Sequence, residues 1–263
     1  MKVKEVFDYL LKLGAAWEDG DLSRRTCDTV KAGSTDSEIT SIGVSMFATP
    51  SVIRECTRKG INFLIVHEPT YYNHWDDHIP YAIGEEKRRL IEASGVTIVR
   101  FHDHAHAMQP DLIYEGEIKF LGLKGTLEQG SGFAINRFVL DEPMTARSLA
   151  TLIQEKLKIK HVRIAGEADK PGRRLSCSFG TPGKTASELE ECDFVLTGEI
   201  CEWAEGQLAR DYAQLGYGKA IIVMGHIGSE RDGMRLLSEK LTQKYPDIKT
   251  EYIECGEVYS YAD

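Results

Sequence analysis

Four consecutive apolar residues, Phe63-Leu64-Ile65-Val66, stop abruptly at His67-Glu68-Pro69. A run without a polar face must be covered on both sides if it is a strand. That is the situation of a parallel strand with crossover helices on each face of its sheet. Pro69 cannot donate to a further ladder, so the strand ends there. His67 and Glu68 therefore stand at the carboxyl end of a buried strand, where open α/β sheets bind their ligands.

Two further apolar runs end in the same way. Val96-Thr97-Ile98-Val99 leads into Phe101-His102-Asp103-His104-Ala105-His106, and Ala220-Ile221-Ile222-Val223-Met224 leads into Gly225-His226-Ile227-Gly228-Ser229-Glu230. Around them the pattern alternates. Val3, Val6, Phe7, Leu10, Leu11 and Leu13 have helical spacing up to Gly14, and a loop follows through Gly33-Ser34-Thr35-Asp36. Ile42, Val44 and Met46 alternate as a strand; Thr49 then reads as an N-cap, Pro50 as the first helical residue and Gly60 as the stop. The stretch 70–80, TYYNHWDDHIP, has neither period and is too aromatic for a plain linker, as long functional loops are.

Helices are expected over 82–93 and 111–122, a strand over 133–140, and a helix capped by Thr145 through 157. Short strands over 162–164 and 175–179 flank a turn at Asp169-Lys170-Pro171-Gly172. A strand over 193–196, helices over 199–215 and from the Gly225 stretch to 244, and a last strand over 248–253 complete the chain. The alternation defines an α/β fold of mostly parallel sheets with crossover helices.

The 263 residues suffice for one large or two smaller domains. The net charge of −9 and the lack of a long basic cluster argue against nucleic acid or an anionic membrane as the main partner. No apolar run approaches the roughly 20 residues of a membrane span. The start, Met1-Lys2-Val3-Lys4-Glu5, leads into an amphipathic pattern and not a signal-peptide core, so a cytoplasmic location is expected. The six cysteines, at 27, 56, 177, 192, 201 and 255, form no Cys-x-x-Cys and read as reduced thiols.

A lone histidine at a strand end is ordinarily a hydrogen-bonded core or rim residue. Here five of the eight histidines (67, 102, 104, 106, 226) follow apolar strands directly, which shifts the balance toward metal. His102 and His106 are four apart, as are His226 and Glu230. At about 3.6 residues per turn such pairs share a helix face and can converge on one ion. His104 then points elsewhere and is the weakest of its triplet. His74 and His78 read as pocket or surface residues and His161 as structural. Imidazole with carboxylate suits zinc, manganese or iron. Six ligands exceed one tetrahedral zinc and suit a pair of ions about 3.5–4 Å apart, with Glu230 the first choice as bridge. Gly180-Thr181-Pro182-Gly183-Lys184-Thr185 ends like a phosphate-binding loop, but Ser178 stands where the leading glycine belongs. It reads as a turn into a short helix. There is no G-x-S-x-G elbow to support a serine hydrolase.

Three blocks in order carry a family resemblance: Ala48-Thr49-Pro50 with Leu64-Ile65-Val66-His67-Glu68-Pro69; Phe101-His102-Asp103-His104-Ala105-His106; and Thr197-Gly198-Glu199 with Gly225-His226-Ile227-Gly228-Ser229-Glu230. Over nearly its whole length the chain resembles the NGG-one-interacting-factor-three-like family of dinuclear-metal hexameric proteins, often called GTP cyclohydrolase I type 2 homologues. The resemblance implies two interlocked α/β lobes, 1–126 with 192–263 as the metal-binding lobe and 127–191 as the second, and a homo-hexameric toroid. It implies His67, Glu68, His106, His226 and Glu230 as metal ligands, with His102 as a sixth, holding two divalent ions. The chain departs from the family pattern twice. Glu68 stands where a second histidine is usual, and His106 where the second block usually has aspartate, so one exchange offsets the other in ligand count and charge.

Two functional readings follow. The first is a metal-dependent hydrolase acting on a nucleotide-like, phosphorylated or heterocyclic small molecule, with His104, Asp103, Tyr72 or His74 as acid–base groups. The second is a non-enzymatic metal-handling or regulatory interaction ring. The aromatic loop Tyr71-Tyr72-Asn73-His74-Trp75 suits a substrate pocket and equally an interface.

Overall fold

The computed structural model describes residues 1–17, 25–129 and 136–262. The chain divides into two compact units, one of residues 1–112 and 233–263, the other of 113–232. Each has its own mixed α/β architecture and its own sheet.

In the first unit α1 (Val3–Leu13) precedes β1 (Val30–Ala32), β2 (Ser41–Ser45), α2 (Pro50–Lys59), β3 (Phe63–Val66), α3 (Ala82–Ser94), β4 (Thr97–Arg100) and the short α4 (Asp103–Ala107). The strand β11 (Lys249–Tyr252) returns to it from the end of the chain, giving the order β1-β4-β3-β2-β11. All pairs are parallel except β1 with β4. Thr49 caps α2 by accepting the Val52 N–H at 3.2 Å, and Gly60 ends it at φ 69°, a left-handed position that costs glycine nothing. All four residues of β3 are buried. Leu64 and Val66 pack with Val52, Ile53 and Cys56 of α2 and Ile91 of α3. The register places Val66 opposite Arg100, so β3 and β4 end side by side and deliver His67-Glu68 and His102 at one rim.

The second unit holds most of α5 (Leu112–Leu121), then β5 (Gly125–Gln129), β6 (Asn136–Thr145), α6 (Ala146–Leu157), β7 (Arg163–Gly166), β8 (Pro171–Ser178), α7 (Thr185–Glu191), β9 (Phe194–Thr197), α8 (Gln207–Gln214), β10 (Ala220–Val223) and the start of α9 (His226–Lys244). Its sheet runs β5-β6-β8-β9-β10-β7. The three central strands β8, β9 and β10 are parallel and the flanking pairs antiparallel. Leu175, Phe194, Leu196 and Ile222 pack on Leu149 and Ile153 of α6; Val195, Ile221 and Val223 pack on Ala209 of α8. Ser178 lies opposite Thr197, and Thr197 opposite Val223, so three strand ends again share one rim.

Several local expectations shift. The stretch read as loop before Gly33 contains β1, a three-residue edge strand too short to show a period. The strand expected over 133–140 runs as β6 from 136 to 145; residues 133–135 lie outside the described ones. The helix expected over 199–215 begins as a π-helical turn, Glu202–Gly206, and becomes α8 only at Gln207. The unit is also larger than the histidine-poor middle, 127–191, because β9 and β10 hydrogen-bond into its sheet.

Candidate metal centre

In the first unit three imidazoles meet. His67 leaves the end of β3, His102 precedes α4 and His106 lies one turn into it, its N–H bonded to the His102 carbonyl at 3.0 Å. The ring centroids of His67 and His102 are 4.6 Å apart, of His67 and His106 5.1 Å, and of His102 and His106 5.0 Å. One ligating atom from each lies within 4.8 Å of the other two. A carboxylate oxygen of Glu68 falls within the same distance of His67. His102 is also within 4.8 Å of Cys27 and Asp103; burial pushes the Cys27 thiol up in the metal-free chain.

What holds these rings is the informative feature. His67 Nδ1 is 3.1 Å from the Phe101 carbonyl, His102 Nδ1 2.9 Å from Asp103 and His106 Nδ1 2.9 Å from Asp111. A carbonyl only accepts, so His67 Nδ1 carries the proton and its Nε2 keeps the lone pair. A carboxylate oxygen at hydrogen-bond distance from Nδ1 favours the same tautomer in the other two. This is how metal-ligating histidines are oriented and made more basic. Asp103 is itself pinned by the Cys27 N–H and the Thr26 hydroxyl, both at 2.8 Å. Burial works to raise its carboxyl, but these bonds and the one from His102 outweigh it and hold it well below the usual range. His104 shows the contrast. Its Nδ1 meets Asp28 at 2.7 Å, its ring faces Trp17, and it stands outside the three-imidazole group.

Behind the rim lies Arg100, the last residue of β4 and fully buried. Its guanidinium donates to the His67 carbonyl at 2.8 Å, to the His74 carbonyl, and to Glu68 at 3.4 Å. Asp76 organises the loop beyond Pro69: its carboxylate accepts the Thr70 and Tyr71 N–H groups at 2.7 Å and pairs with buried Lys31 at 3.7 Å. The aromatics of that loop separate accordingly. Tyr71 joins the core, while Tyr72 is half exposed.

In the second unit His226 opens α9 after β10. Its Nδ1 is 2.9 Å from Glu199 and its Nε2 3.2 Å from Glu230, four residues on. Two glycines make room. A Cβ at Gly180 (φ +74°) would sit 2.3 Å from the Glu230 carboxylate, and one at Gly198 would sit 2.4 Å from the Gly180 carbonyl. The false phosphate loop thus ends up as the wall against Glu230, anchored by the Gly180 N–H on Ser229 Oγ at 3.0 Å. Asp111, Glu199, Asp103 and Arg100 escaped the sequence reading as supports. Glu199 and Asp103 stand in the motif blocks, Asp103 as an acid–base candidate, but neither reads there as a support; Arg100, a cation ending an apolar run, is the signal that could have been followed.

The donor set fits a divalent ion: imidazoles whose Nδ1 is fixed by an oxygen acceptor, and buried carboxylates. It also sets a pH dependence. Burial, then the neighbouring His102 and His106, lowers the His67 pKa well below its ordinary value. An unfolded histidine titrates near ~6.5. The folded state therefore disfavours the proton, and stability present above about pH 6.5 is lost as the pH falls below it, by at most about 1.4 kcal/mol per pH unit for one group. The urea midpoint of metal-free protein is expected to drop between pH 7.5 and 5.5, and to drop less in His67→Gln. Equal drops in the two proteins would contradict this.

The fold and these clusters define a class of α/β proteins with histidine- and carboxylate-bearing strand ends. The profile of DUF34/NIF3 (NGG1p interacting factor 3) matches residues 1–257, and the chain belongs to that family. It is 27% identical over 212 residues to a GTP cyclohydrolase 1 type 2 homolog of Neisseria meningitidis serogroup A, covering 79% of this chain and 81% of the relative. A homolog of the same name from Clostridium acetobutylicum is 22% identical over 221 residues, covering 80% and 79%. The crystal structure of Staphylococcus aureus protein SA1388 superposes with a TM-score of 0.77 at 17% identity, covering 99% of both chains, and shows the shared fold. Among the described residues no helix is long and apolar enough to cross a membrane.

Proposed function

We propose that the chain is a dinuclear metal-dependent hydrolase of a nucleotide-like or other heterocyclic, phosphorylated small molecule. His67, Glu68, His102, His106, His226 and Glu230 are its ligand set. The observation that carries this reading is the repeated fixing of Nδ1 by an oxygen acceptor at His67, His102 and His106, while His226 lies between the carboxylates of Glu199 and Glu230. A structural histidine has no need to present Nε2 uniformly. The name shared by the curated relatives supports a heterocyclic substrate.

Bound there, divalent ions supply a water of lowered pKa and polarise a carbonyl or phosphoryl oxygen. The chain's residues do the rest. Asp103, Asp111 and Glu199 hold the imidazoles in register. His104 is committed to Asp28 and Asp103 to His102, which removes both as proton carriers. Tyr72 and His74 remain, and both line one cavity. The test is turnover by metal-loaded protein, with a chelated control, across nucleotides, phosphate esters and ring heterocycles. Absence of turnover by folded, loaded protein would sink the enzymatic reading. Glu199→Ala is expected to weaken metal binding about 10–100-fold with an unchanged urea midpoint, read by chelator competition. Unaltered affinity would remove Glu199 from its assigned role.

A further inference from the structure

Beside the three imidazoles the first unit contains a cavity of about 420 Å³. Phe47, Pro69 and Tyr72 give it apolar walls; Asn73, His74 and Lys87 supply the polar ones. The ring of His74 stands 5.8 Å from that of His102, so the cavity adjoins the ligand cluster. It is the volume of a mono- or bicyclic ring with one substituent, the size range of small-ligand sites.

Three features describe what it takes. Lys87 is 7% exposed, and its ammonium donates to the Thr70 carbonyl at 2.6 Å and lies 5.3 Å from the Tyr72 ring. Those contacts engage one of its three donors and leave two for a guest. Asn73 turns its amide nitrogen to the His78 and Tyr71 carbonyls, at 2.8 and 3.4 Å. Both neighbours only accept, so the orientation of the amide is determined and Oδ1 faces away from them. That oxygen is buried and has no hydrogen-bond partner among the described residues. Tyr72 is held at φ 70°, a conformation rare for a bulky side chain and most often met where a site requires it. Its ring lies against Gly84, 3.7 Å from the position a Cβ would take there.

We propose that this cavity binds a planar heteroaromatic molecule bearing both an anionic group and a ring N–H, with the anion on Lys87, the N–H on Asn73 Oδ1 and the ring against Tyr72. This rests on the metal-dependent reading above, because His74, which lines the cavity, stands beside His102 of the proposed ligand set. It goes further in assigning the guest its charge, its hydrogen-bond donor and its seat. The pKa of Lys87, lowered by burial to about 8, leaves it predominantly cationic at neutral pH.

Indole-3-carboxylate is the probe, compared with its neutral carboxamide and its N-methyl derivative by titration calorimetry. Each is titrated into full-length protein with metal and after chelation. The carboxylate is expected to bind about tenfold more tightly than the carboxamide, as one charge-assisted hydrogen bond allows. N-methylation is expected to weaken it severalfold, and Lys87→Met to abolish the preference for the acid. Tyr72→Asn, which keeps a residue tolerant of positive φ, provides a second variant should Lys87→Met misfold, and is expected to weaken binding about fivefold. No binding, or binding to the metal-loaded form alone that is indifferent to Lys87 and Tyr72, overturns the inference. Metal content is measured on the same samples. Lys87-dependent binding to protein that takes up no metal would sink the metal reading and leave the cavity assignment standing.

Discussion

His67→Ala protein is expected to lose its metal. His67 is fully buried, belongs to the three-imidazole group, and has Glu68 beside it. Its Nδ1 is committed to the Phe101 carbonyl, so its other nitrogen has one orientation. Supporting residues around metal sites commonly contribute about 10–100-fold in affinity, and a direct ligand contributes more. Alanine also leaves a cavity where an imidazole was packed against His102 and His106. Elemental analysis after purification without added metal should give a ratio well below that of the wild type. His104→Ala is the matched control, because His104 lies beside Trp17 and Asp28 and outside the group. Equal metal content in His67→Ala and wild type would remove His67 from the ligand set.

The second large effect is on stability. Arg100→Met is expected to cost about 3–5 kcal/mol, the scale for breaking a buried, hydrogen-bonded ion pair by deleting one partner. The guanidinium serves three acceptors from one buried position: the His67 carbonyl, the His74 carbonyl and the Glu68 carboxylate. Methionine fills the stem but leaves these oxygens without their shared donor, in a place water does not reach. Lysine keeps the charge but not the planar fork, so Arg100→Lys should fall between wild type and Arg100→Met. Urea unfolding with an unchanged m-value reads the difference. A loss below about 1 kcal/mol in Arg100→Met would mean that Arg100 does not organise the strand end.

The sequence made the parallel strands visible because they are apolar on both faces. Phe63 to Val66 and Ala220 to Val223 have no alternative but burial, and the residues that follow them stand out as polar. The His102 and His106 spacing was legible for the same kind of reason, since a helical turn has a fixed period. Supports such as Asp28 and Asp111 were invisible. Asp28 reaches His104 across 76 positions, and a lone aspartate carries no local pattern. Lys31 and Asp76 form a buried pair whose members look in sequence like ordinary surface charges. The loop 70–80 showed its aromatic character but not its division of labour. Tyr71 turns into the core and Tyr72 stays half exposed in a loop whose backbone Asp76 grips from five and six residues on, an arrangement that no hydrophobic period announces.

The central claim is that these residues are metal ligands with a prearranged tautomer. Anomalous diffraction, with elemental analysis, on protein purified without added metal tests it most directly. The account predicts two divalent ions per chain, with Nε2 of His67, His102, His106 and His226 and the carboxylates of Glu68 and Glu230 in their coordination. One ion or none, or ions bound elsewhere with these side chains in place, would contradict it.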